Sequence, residues 1–425
     1  MLIRFCLYGF LKNQRYFEPF FYLALLEKGL GFFEIGLLIA FREVVVNLIE
    51  VPTGSLADIG GRRASMIVSF IAYVASFLLF GFTDSLVWLL PAMFFFAVGE
   101  SFRSGTHKAM IFTWLRMQGR QDERTRVYGF TRSWSQIGSA VSVFIGALLV
   151  FRTGRFGDIF LWSTIPYVLN IVNFLGYPRV LEGEQALERG GGAAALWKSM
   201  REVLPHTLDT LRMAARPGML RRLMLESMGF EGVFDAVKDY LQPALKLAAL
   251  GLAAAWIERT GWSEGQRAAV LIGVVYFVLY LLSAATSRNA HRVEGAAGGV
   301  EGAARWMWAV VAAVYGLILG GSLAGVSALV IGAFVVLHSS QALWRPLIIS
   351  RFDAHSDESR GATVLSIESQ SQRIATMIVA PLVGWMIDAL GGAEEIRDLW
   401  PIGAIGLAVS AVFLLKRPRT AAAAG

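Results

Sequence analysis

The segment GSLADIGGRR, at residues 54–63, separates two strongly apolar stretches of the chain, FREVVVNLIEVPT and ASMIVSFIAYVASFLLF. It places three glycines, one aspartate and two arginines in ten positions. Glycine permits tight turns, and lysine and arginine are enriched in the cytoplasmic loops of membrane proteins. The segment therefore indicates a short basic turn between two hydrophobic helices, and its meaning depends on whether those helices span a membrane.

The composition answers that question. Of the 425 residues, 55% are hydrophobic and 17% are charged, with a mean hydropathy of +0.54. A soluble protein carries about 25% charged residues, and a bilayer-spanning helix needs about 20 mainly apolar residues. Apolar runs of that length recur from one end of this chain to the other. The sequence therefore predicts an integral membrane protein.

Other whole-chain features exclude several classes of function. The net charge of +7 fits cytoplasmic loops rich in lysine and arginine better than nucleic-acid binding. The single cysteine, Cys6, excludes an internal disulfide and a multi-cysteine metal site. We also expect no metal and no cofactor. The first apolar run lacks a small-residue cleavage site and contains Lys12 and Arg15, so we expect it to remain as a spanning helix.

The apolar runs between polar breaks predict an all-α protein with twelve transmembrane helices. The predicted spans lie near 5–27, 33–55, 64–82, 86–108, 126–150, 159–178, 219–245, 267–287, 304–320, 324–348, 362–389 and 399–416.

A long polar break divides these spans into two sets of six. Residues 1–178 are predicted to form an N-terminal six-helix bundle and residues 219–425 a C-terminal one. Residues 179–218 are predicted to be a cytoplasmic linker, part of which has the spacing of an amphipathic helix. The fourth and tenth spans continue in similar ways, as FAVGESFRSGTHKAMI and VVLHSSQALWRPLII. This echo predicts two pseudo-symmetric bundles around a central cavity.

The distribution of basic residues predicts the orientation. With both termini and the linker inside, most lysines and arginines fall in inside loops and few fall outside. We therefore expect a multi-pass protein of the cytoplasmic (inner) membrane with both termini cytoplasmic.

The quoted segment resembles the signature that the major facilitator superfamily carries between its second and third helices, Gly-x-Leu-Ala-Asp-Arg-x-Gly-Arg-Lys. The one clear departure is Ile59, where the family usually has a basic residue. The resemblance implies that this loop latches a cytoplasmic gate, with the gate residues Gly54, Asp58, Gly61, Arg62 and Arg63. Gly54 is expected to allow a close backbone approach. The alternative to a gate latch is that the segment forms only a tight basic turn.

The subfamily stays open. Drug–proton antiporters of this superfamily carry Gly-Pro in the fifth span, where this chain has Ser142 and Val143. The first span lacks the Glu-x-x-Glu-Arg pattern of peptide transporters, and no sugar-porter signature is evident.

Ionisable residues inside a membrane are costly unless they face a cavity or a partner, so each is a functional candidate. The predicted substrate and proton cavity comprises Arg15, Glu18, Glu43, Glu100, Arg103, Glu231, Asp235, Lys238, His338, Gln341, Glu368 and Arg373. In the seventh span Lys238 can neutralise either Glu231 or Asp235, which leaves the other as the proton carrier. The alternative for each residue is an ion pair that only holds the bundle together.

These observations favour a secondary active transporter over other classes. The five scattered histidines form no catalytic constellation, so the chain is not expected to be an enzyme, and an ATP-driven pump would need a phosphate-binding loop that is absent. We expect alternating access, proton coupling and a small polar, charged or amphiphilic organic substrate. Efflux is the favoured direction, and the alternatives are uptake of a metabolite or a transport-inactive receptor or scaffold. The expected partners are the solute, protons and the lipid bilayer, and the protein is expected to be a monomer.

Overall fold

The computed structural model describes residues 1–104, 106–182, 218–251, 261–353 and 361–415. Within these ranges the side chains of residues 51, 55, 58–60, 125 and 361–366 are not described. The predicted linker therefore lies largely outside the described residues.

Apart from short 3₁₀ and π segments, the described part of the chain folds into α-helices. In chain order these are α1 (Leu2–Lys12), α2 (Phe21–Glu27), α3 (Phe32–Gly60), α4 (Arg62–Phe82), α5 (Leu86–Arg103), α6 (Thr106–Met117), α7 (Arg124–Thr153), α8 (Ile159–Leu175), α9 (Met219–Ser227), α10 (Val233–Val237), α11 (Leu241–Gly251), α12 (Glu264–Arg288), α13 (Ala290–Ala296), α14 (Val300–Ala324), α15 (Ser327–Asp353), α16 (Gly361–Asp388) and α17 (Trp400–Leu415).

Seven helical stretches within the described ranges are long and apolar enough to cross a membrane. They are Arg62–Phe82, Leu86–Met117, Gln121–Thr153, Glu264–Arg288, Val300–Ala324, Ser327–Phe352 and Ile396–Leu415, and Ile159–Leu175 is a shorter apolar helix. The other four predicted spans, the first, second, seventh and eleventh, are those that carry most of the candidate cavity charges. The first and seventh predicted spans are divided into helices of at most 11 residues, whereas the second and eleventh are long helices that carry ionisable side chains.

The chain separates into two compact units. Of the described residues, unit 1 contains 1–30, 37–182 and 261–277, and unit 2 contains 31–36, 218–251, 278–353 and 361–415. In unit 1, α4 packs against α5 and α8, and α1 packs against α7. In unit 2, α14 packs against α15 and α17, while α10 and the π-turn before it pack against α16. In unit 1 the third predicted span contacts the fourth and sixth spans. In unit 2 the ninth predicted span contacts the tenth and twelfth, so the same pairing recurs in both units.

The first predicted span is not one continuous helix, which corrects the sequence prediction for 5–27. Helix α1 ends at Lys12, and a 3₁₀ turn at Glu18–Phe20 precedes α2. Asn13 caps the end of α1, because its side-chain amide donates to the carbonyl of Gly9 at 2.7 Å. Pro19 stands at the start of the 3₁₀ turn, where its missing N–H breaks no helical hydrogen bond.

The seventh predicted span, 219–245, is interrupted as well. A π-turn at Met228–Gly232 follows α9, and a 3₁₀ turn at Lys238–Tyr240 separates α10 from α11. Glu231 therefore lies in the π-turn, Asp235 on α10 and Lys238 at the start of the 3₁₀ turn, so these residues do not share one regular α-helix. The segment VEGAAGGVEGAA at residues 293–304 has the low complexity that is typical of a flexible loop, but it lies largely within α13 and α14.

Candidate functional site

The turn between α3 and α4 depends on one glycine. Gly61 has a φ of +100°, in the left-handed region that favours glycine. A Cβ at this position would also collide with the carboxylate of Glu182. Arg63 lies beside the same carboxylate, 3.6 Å from it, and donates to the carbonyl of Tyr177 at 3.0 Å. The turn is therefore fastened to the segment that follows α8.

The other predicted gate residues differ in their contacts. Arg62 donates to the hydroxyl of Thr113 at 2.9 Å, which connects α4 to α6. The side chain of Asp58 lies outside the described residues. Gly54 is exposed, and no described atom lies within 4 Å of the position that a Cβ would take. The close backbone approach expected at Gly54 is therefore not found within the described part of the chain.

Polar side chains fill the break in the first predicted span. Arg15 donates to the hydroxyl of Tyr167 at 3.3 Å, and that hydroxyl donates to the carbonyl of Lys12 at 3.0 Å. Arg15 also lies 3.9 Å from the carboxylate of the half-exposed Glu18. Gln14 donates to the carbonyl of Gly138 on α7 at 2.9 Å. The break is thus bonded to its neighbours, as discontinuous helices in transporters are.

Glu43 and Glu50 of α3 already have partners within unit 1. Glu43 is buried and forms an ion pair with the adjacent Arg42. Glu50 accepts a hydrogen bond from the hydroxyl of Ser104 at 3.1 Å. The ion-pairing alternative considered for membrane charges fits Glu43 better than a role in an open cavity.

Unit 1 contains a cavity of about 520 Å³. Its walls include Lys12, the last residue of α1, Arg103, the last residue of α5, and His107 on α6. Arg103 lies 3.5 Å from the hydroxyl of Tyr73. Glu100 lies one turn earlier on α5 and is not among the lining residues. The volume is in the range of small-molecule sites, about 300–1,000 Å³.

The π-turn of unit 2 is pressed against α16. A Cβ on Gly232 would lie 2.5 Å from the Cβ of Ala375 and 2.7 Å from the carbonyl oxygen of Gln372. The hydroxyl of Thr376 donates to the carbonyl of Gly232 at 3.0 Å. A residue without a side chain is therefore required where the helix widens, and the freed carbonyl is satisfied by a neighbouring helix.

This turn separates the two carboxylates of the seventh predicted span. Asp235 forms an ion pair with Lys238 at 2.7 Å, and the side chain of Asp235 remains 39% exposed. Glu231 is only 4% exposed and accepts a hydrogen bond from the amide of Gln341 on α15 at 3.1 Å. Among the described residues, no donor reaches the other oxygen of Glu231. The sequence left the choice between these carboxylates open, and the structure distinguishes them by their partners.

A second carboxylate is held within a polar cluster of unit 2. Glu368 is fully buried and forms an ion pair with Arg345 at 2.6 Å. It accepts a hydrogen bond from the hydroxyl of Ser227 at 2.5 Å and another from Gln372. Arg373 follows Gln372 on α16. The ion pair of Arg345 matches the bundle-stabilising alternative.

His338 does not join these carboxylates. Its Nδ1 lies 2.9 Å from the carbonyl of Phe334, one turn earlier on α15. The ring of Phe234 packs edge-on against it, with 5.1 Å between centroids. Of the two α15 residues expected in the cavity, Gln341 therefore contacts a candidate carboxylate and His338 packs as part of the wall.

One charged cluster was missed by the sequence analysis. Arg351 is 2% exposed and Glu226 is 1% exposed, and the two form an ion pair. Arg351 also contacts Glu301 at 2.8 Å, and Arg222 contacts Glu226 at 2.7 Å. The available signal was the pair Arg222 and Glu226, one helical turn apart, but nothing local indicated that α14 and α15 would complete the cluster.

Comparison with known proteins agrees with this architecture. The family model of the Major Facilitator Superfamily matches residues 2–367. A protein of Bacillus subtilis (strain 168), described as the uncharacterized MFS-type transporter YxaM, is 28% identical over 162 residues, which is 37% of each chain.

Two solved structures share the fold. The nucleoside transporter NupG gives a TM-score of 0.69 at 10% identity, with 97% of this chain and 95% of that chain covered. The D-xylose–proton symporter gives a TM-score of 0.65 at 14% identity, covering 98% and 95%. Since the family model spans most of the sequence and the helices pair alike in both units, the chain belongs to the Major Facilitator Superfamily and is a multi-pass membrane transporter rather than an enzyme.

Proposed function

We propose that this transporter is a secondary active carrier that works by alternating access and couples the movement of a small organic solute to protons. Both termini and the 179–218 linker are assigned to the cytoplasmic side of the cytoplasmic membrane, because the inside loops then hold most of the lysines and arginines. Efflux is the direction we favour, with uptake as the alternative, and the protein is proposed to act as a monomer.

Proton coupling is proposed because Glu231 and Asp235 differ in their burial and in their partners. Asp235 has a cation partner in Lys238 at 2.7 Å. Glu231 is buried and accepts a hydrogen bond from the neutral amide of Gln341, and Arg345, a nearby cation of α15, forms an ion pair with Glu368. A buried charge without a counter-charge is costly, so Glu231 is better suited than Asp235 to take up and release a proton during the cycle.

The coupling test uses proteoliposomes and six radiolabelled probes: uridine, uridine monophosphate, D-xylose, dialanine, succinate and tetraphenylphosphonium. At least one probe should accumulate in response to a pH gradient, and a protonophore should abolish that accumulation. Glu231→Gln should remove pH-driven accumulation and retain exchange at equal pH on both sides, because the amide keeps the hydrogen bond from Gln341 but does not titrate.

Two variants serve as comparisons for Glu231→Gln. Asp235→Asn should retain accumulation at a reduced level, and Glu264→Gln, at an exposed position at the start of α12, should behave like the parent protein. Exchange of a probe that never accumulates would contradict proton coupling. Full accumulation by Glu231→Gln would move the proton path elsewhere, with Glu18 and Glu368 next in line.

We further propose that the turn at residues 54–63 acts as a conformational latch, as the family signature implies. Asp58→Asn should lower transport about tenfold, equivalent to about 1.4 kcal/mol in the balance between two conformations, while the unfolding temperature stays close to that of the parent protein. Asp122→Asn, at an exposed position between α6 and α7, is the matched control. Normal flux in Asp58→Asn would leave the segment with no role beyond a tight turn.

A further inference from the structure

The cavity of unit 1 has an unbalanced charge. No aspartate or glutamate is among its lining residues. Four of the lining residues carry cationic side chains, namely Lys12, Arg103, Lys108 and Arg132. The cations come from four helices that are separate in sequence, α1, α5, α6 and α7. Cationic side chains that converge on one cavity create a positive potential, which attracts anions.

Among the described residues, the four cations take no part in an ion pair. Within the described ranges, no carboxylate lies within ion-pairing distance of any of them, whereas Lys238, Arg345 and Arg351 in unit 2 are each paired. Lys12 and Arg103 are half-buried and Lys108 and Arg132 are exposed, so the cavity has an inner and an outer pair of charges. Burying a cation that forms no ion pair costs free energy, which a bound anion would offset.

Aromatic side chains form much of the rest of the cavity wall. His107 is buried, stacks on Tyr8 with 3.7 Å between ring centroids, and lies 3.4 Å from the hydroxyl of Tyr177. It is therefore a fixed part of the wall. The amines of Lys12 and Lys108 lie 5.7 Å and 5.5 Å from the rings of Tyr8 and Tyr128, so aromatic faces flank the charges.

We propose that this cavity binds the anionic group of a small organic anion, a carboxylate or phosphate ester, and that the transported solute belongs to this class. The anionic group is placed between Lys12 and Arg103, where the cations are most shielded from water and a charge-assisted hydrogen bond is strongest. Tyr8 and Tyr128 flank the rest of the solute, and Lys108 and Arg132 attract it to the entrance. The inference rests on the proposed function, because it names the substrate class of that carrier.

The test compares two probes that differ by one phosphate, uridine monophosphate and uridine, with succinate as a second anion. Binding is measured by calorimetry on the full chain in phosphatidylcholine nanodiscs. Uridine monophosphate and succinate should bind, uridine should bind at least about tenfold more weakly, and affinity for the anions should fall with added salt. Equal affinity for uridine and its monophosphate would overturn the proposal.

Variants then locate the site. Lys12→Gln and Arg103→Gln should each weaken binding of uridine monophosphate about tenfold or more, the scale expected when a charge-assisted contact is lost. Lys12→Arg should retain binding, which keeps the test decisive if the glutamine variant folds poorly. Arg152→Gln is the control, because Arg152 is exposed on the same helix as Arg132 and about 30 Å further along it. Unchanged affinity in both glutamine variants would place the site elsewhere.

A further arm separates a soluble anion from a lipid headgroup. Adding phosphatidylglycerol to the nanodiscs should leave binding of uridine monophosphate unchanged, and competition by this lipid would reassign the cavity to a phospholipid. Failure here is distinguishable from failure of proton coupling. Accumulation of uridine or D-xylose without anion binding would overturn only the substrate class, whereas anion binding without pH-driven accumulation would overturn only the coupling.

Discussion

Arg351→Leu is expected to destabilise the protein by about 3–5 kcal/mol, the range for removing one partner of a buried ion pair. Arg351 and Glu226 are both almost fully buried, and Arg351 also contacts Glu301 through two hydrogen bonds of 2.8 and 3.0 Å. Leucine would leave the carboxylate of Glu226 buried, with the half-exposed Arg222 as its remaining described partner. The unfolding temperature in detergent, followed by tryptophan fluorescence, measures the effect.

A second substitution separates this cause from lost packing. When Glu226→Leu is combined with Arg351→Leu, most of the stability should return, because a buried pair replaced by apolar residues is often neutral. Arg288→Gln, at an exposed position at the end of α12, controls for the loss of a basic residue. If the double variant is as unstable as Arg351→Leu alone, the packing of the arginine stem matters more than the charge.

The second large effect is expected from Gly384→Val. The start of α3 and the end of α16 touch through two glycines: a Cβ on Gly36 would lie 2.5 Å from the carbonyl oxygen of Ala380, and one on Gly384 would collide with the backbone of Phe32. Both contacts are with backbone, which cannot swing aside as a side chain can. We expect a loss of about 3 kcal/mol, at the upper end of the range for overpacking.

The same contact positions the polar cap of α3. The carboxylate of Asp388 accepts the backbone N–H groups of Phe32 and Phe33 at 3.0 and 2.8 Å, which satisfies donors that the first turn of a helix leaves free. Separating the two helices would break this cap as well. Gly332→Val is the matched control, since Gly332 lies inside α15 and no described atom is within 4 Å of its Cβ position. Equal unfolding temperatures of Gly384→Val and Gly332→Val would show that the change in helix propensity alone causes the loss of stability.

The sequence predicted those parts of the structure that local information determines. Hydropathy and length located α4, α7 and α14 to within a few residues, because a membrane imposes both on any helix that spans it. The tight turn at Gly61 was also predicted, because the residue type and its backbone conformation are linked. Family membership followed from the same ten residues and is confirmed by the family model.

The breaks and the side-chain partners could not be predicted in this way. The residues around Asn13 and Gly232 have acceptable helical spacing, and the helix opens there because distant side chains, such as Tyr167 at the carbonyl of Lys12 and Thr376 at the carbonyl of Gly232, satisfy the freed backbone. The bond between Arg351 and Glu226 joins residues 125 apart in sequence. Such pairings depend on how helices are arranged in space, and hydropathy does not encode that arrangement.

The interrupted helices have a mechanical consequence. In unit 1 the first predicted span is broken between α1 and α2, and in unit 2 the corresponding seventh span is broken at Met228–Gly232. A continuous helix resists bending because its backbone hydrogen bonds must stretch. At these two joints the polar groups are already bonded outside the helix, to side chains or to neighbouring helices. The first and seventh predicted spans are therefore each a series of short helices joined by turns, and these helices can change their angle at lower elastic cost than one unbroken helix.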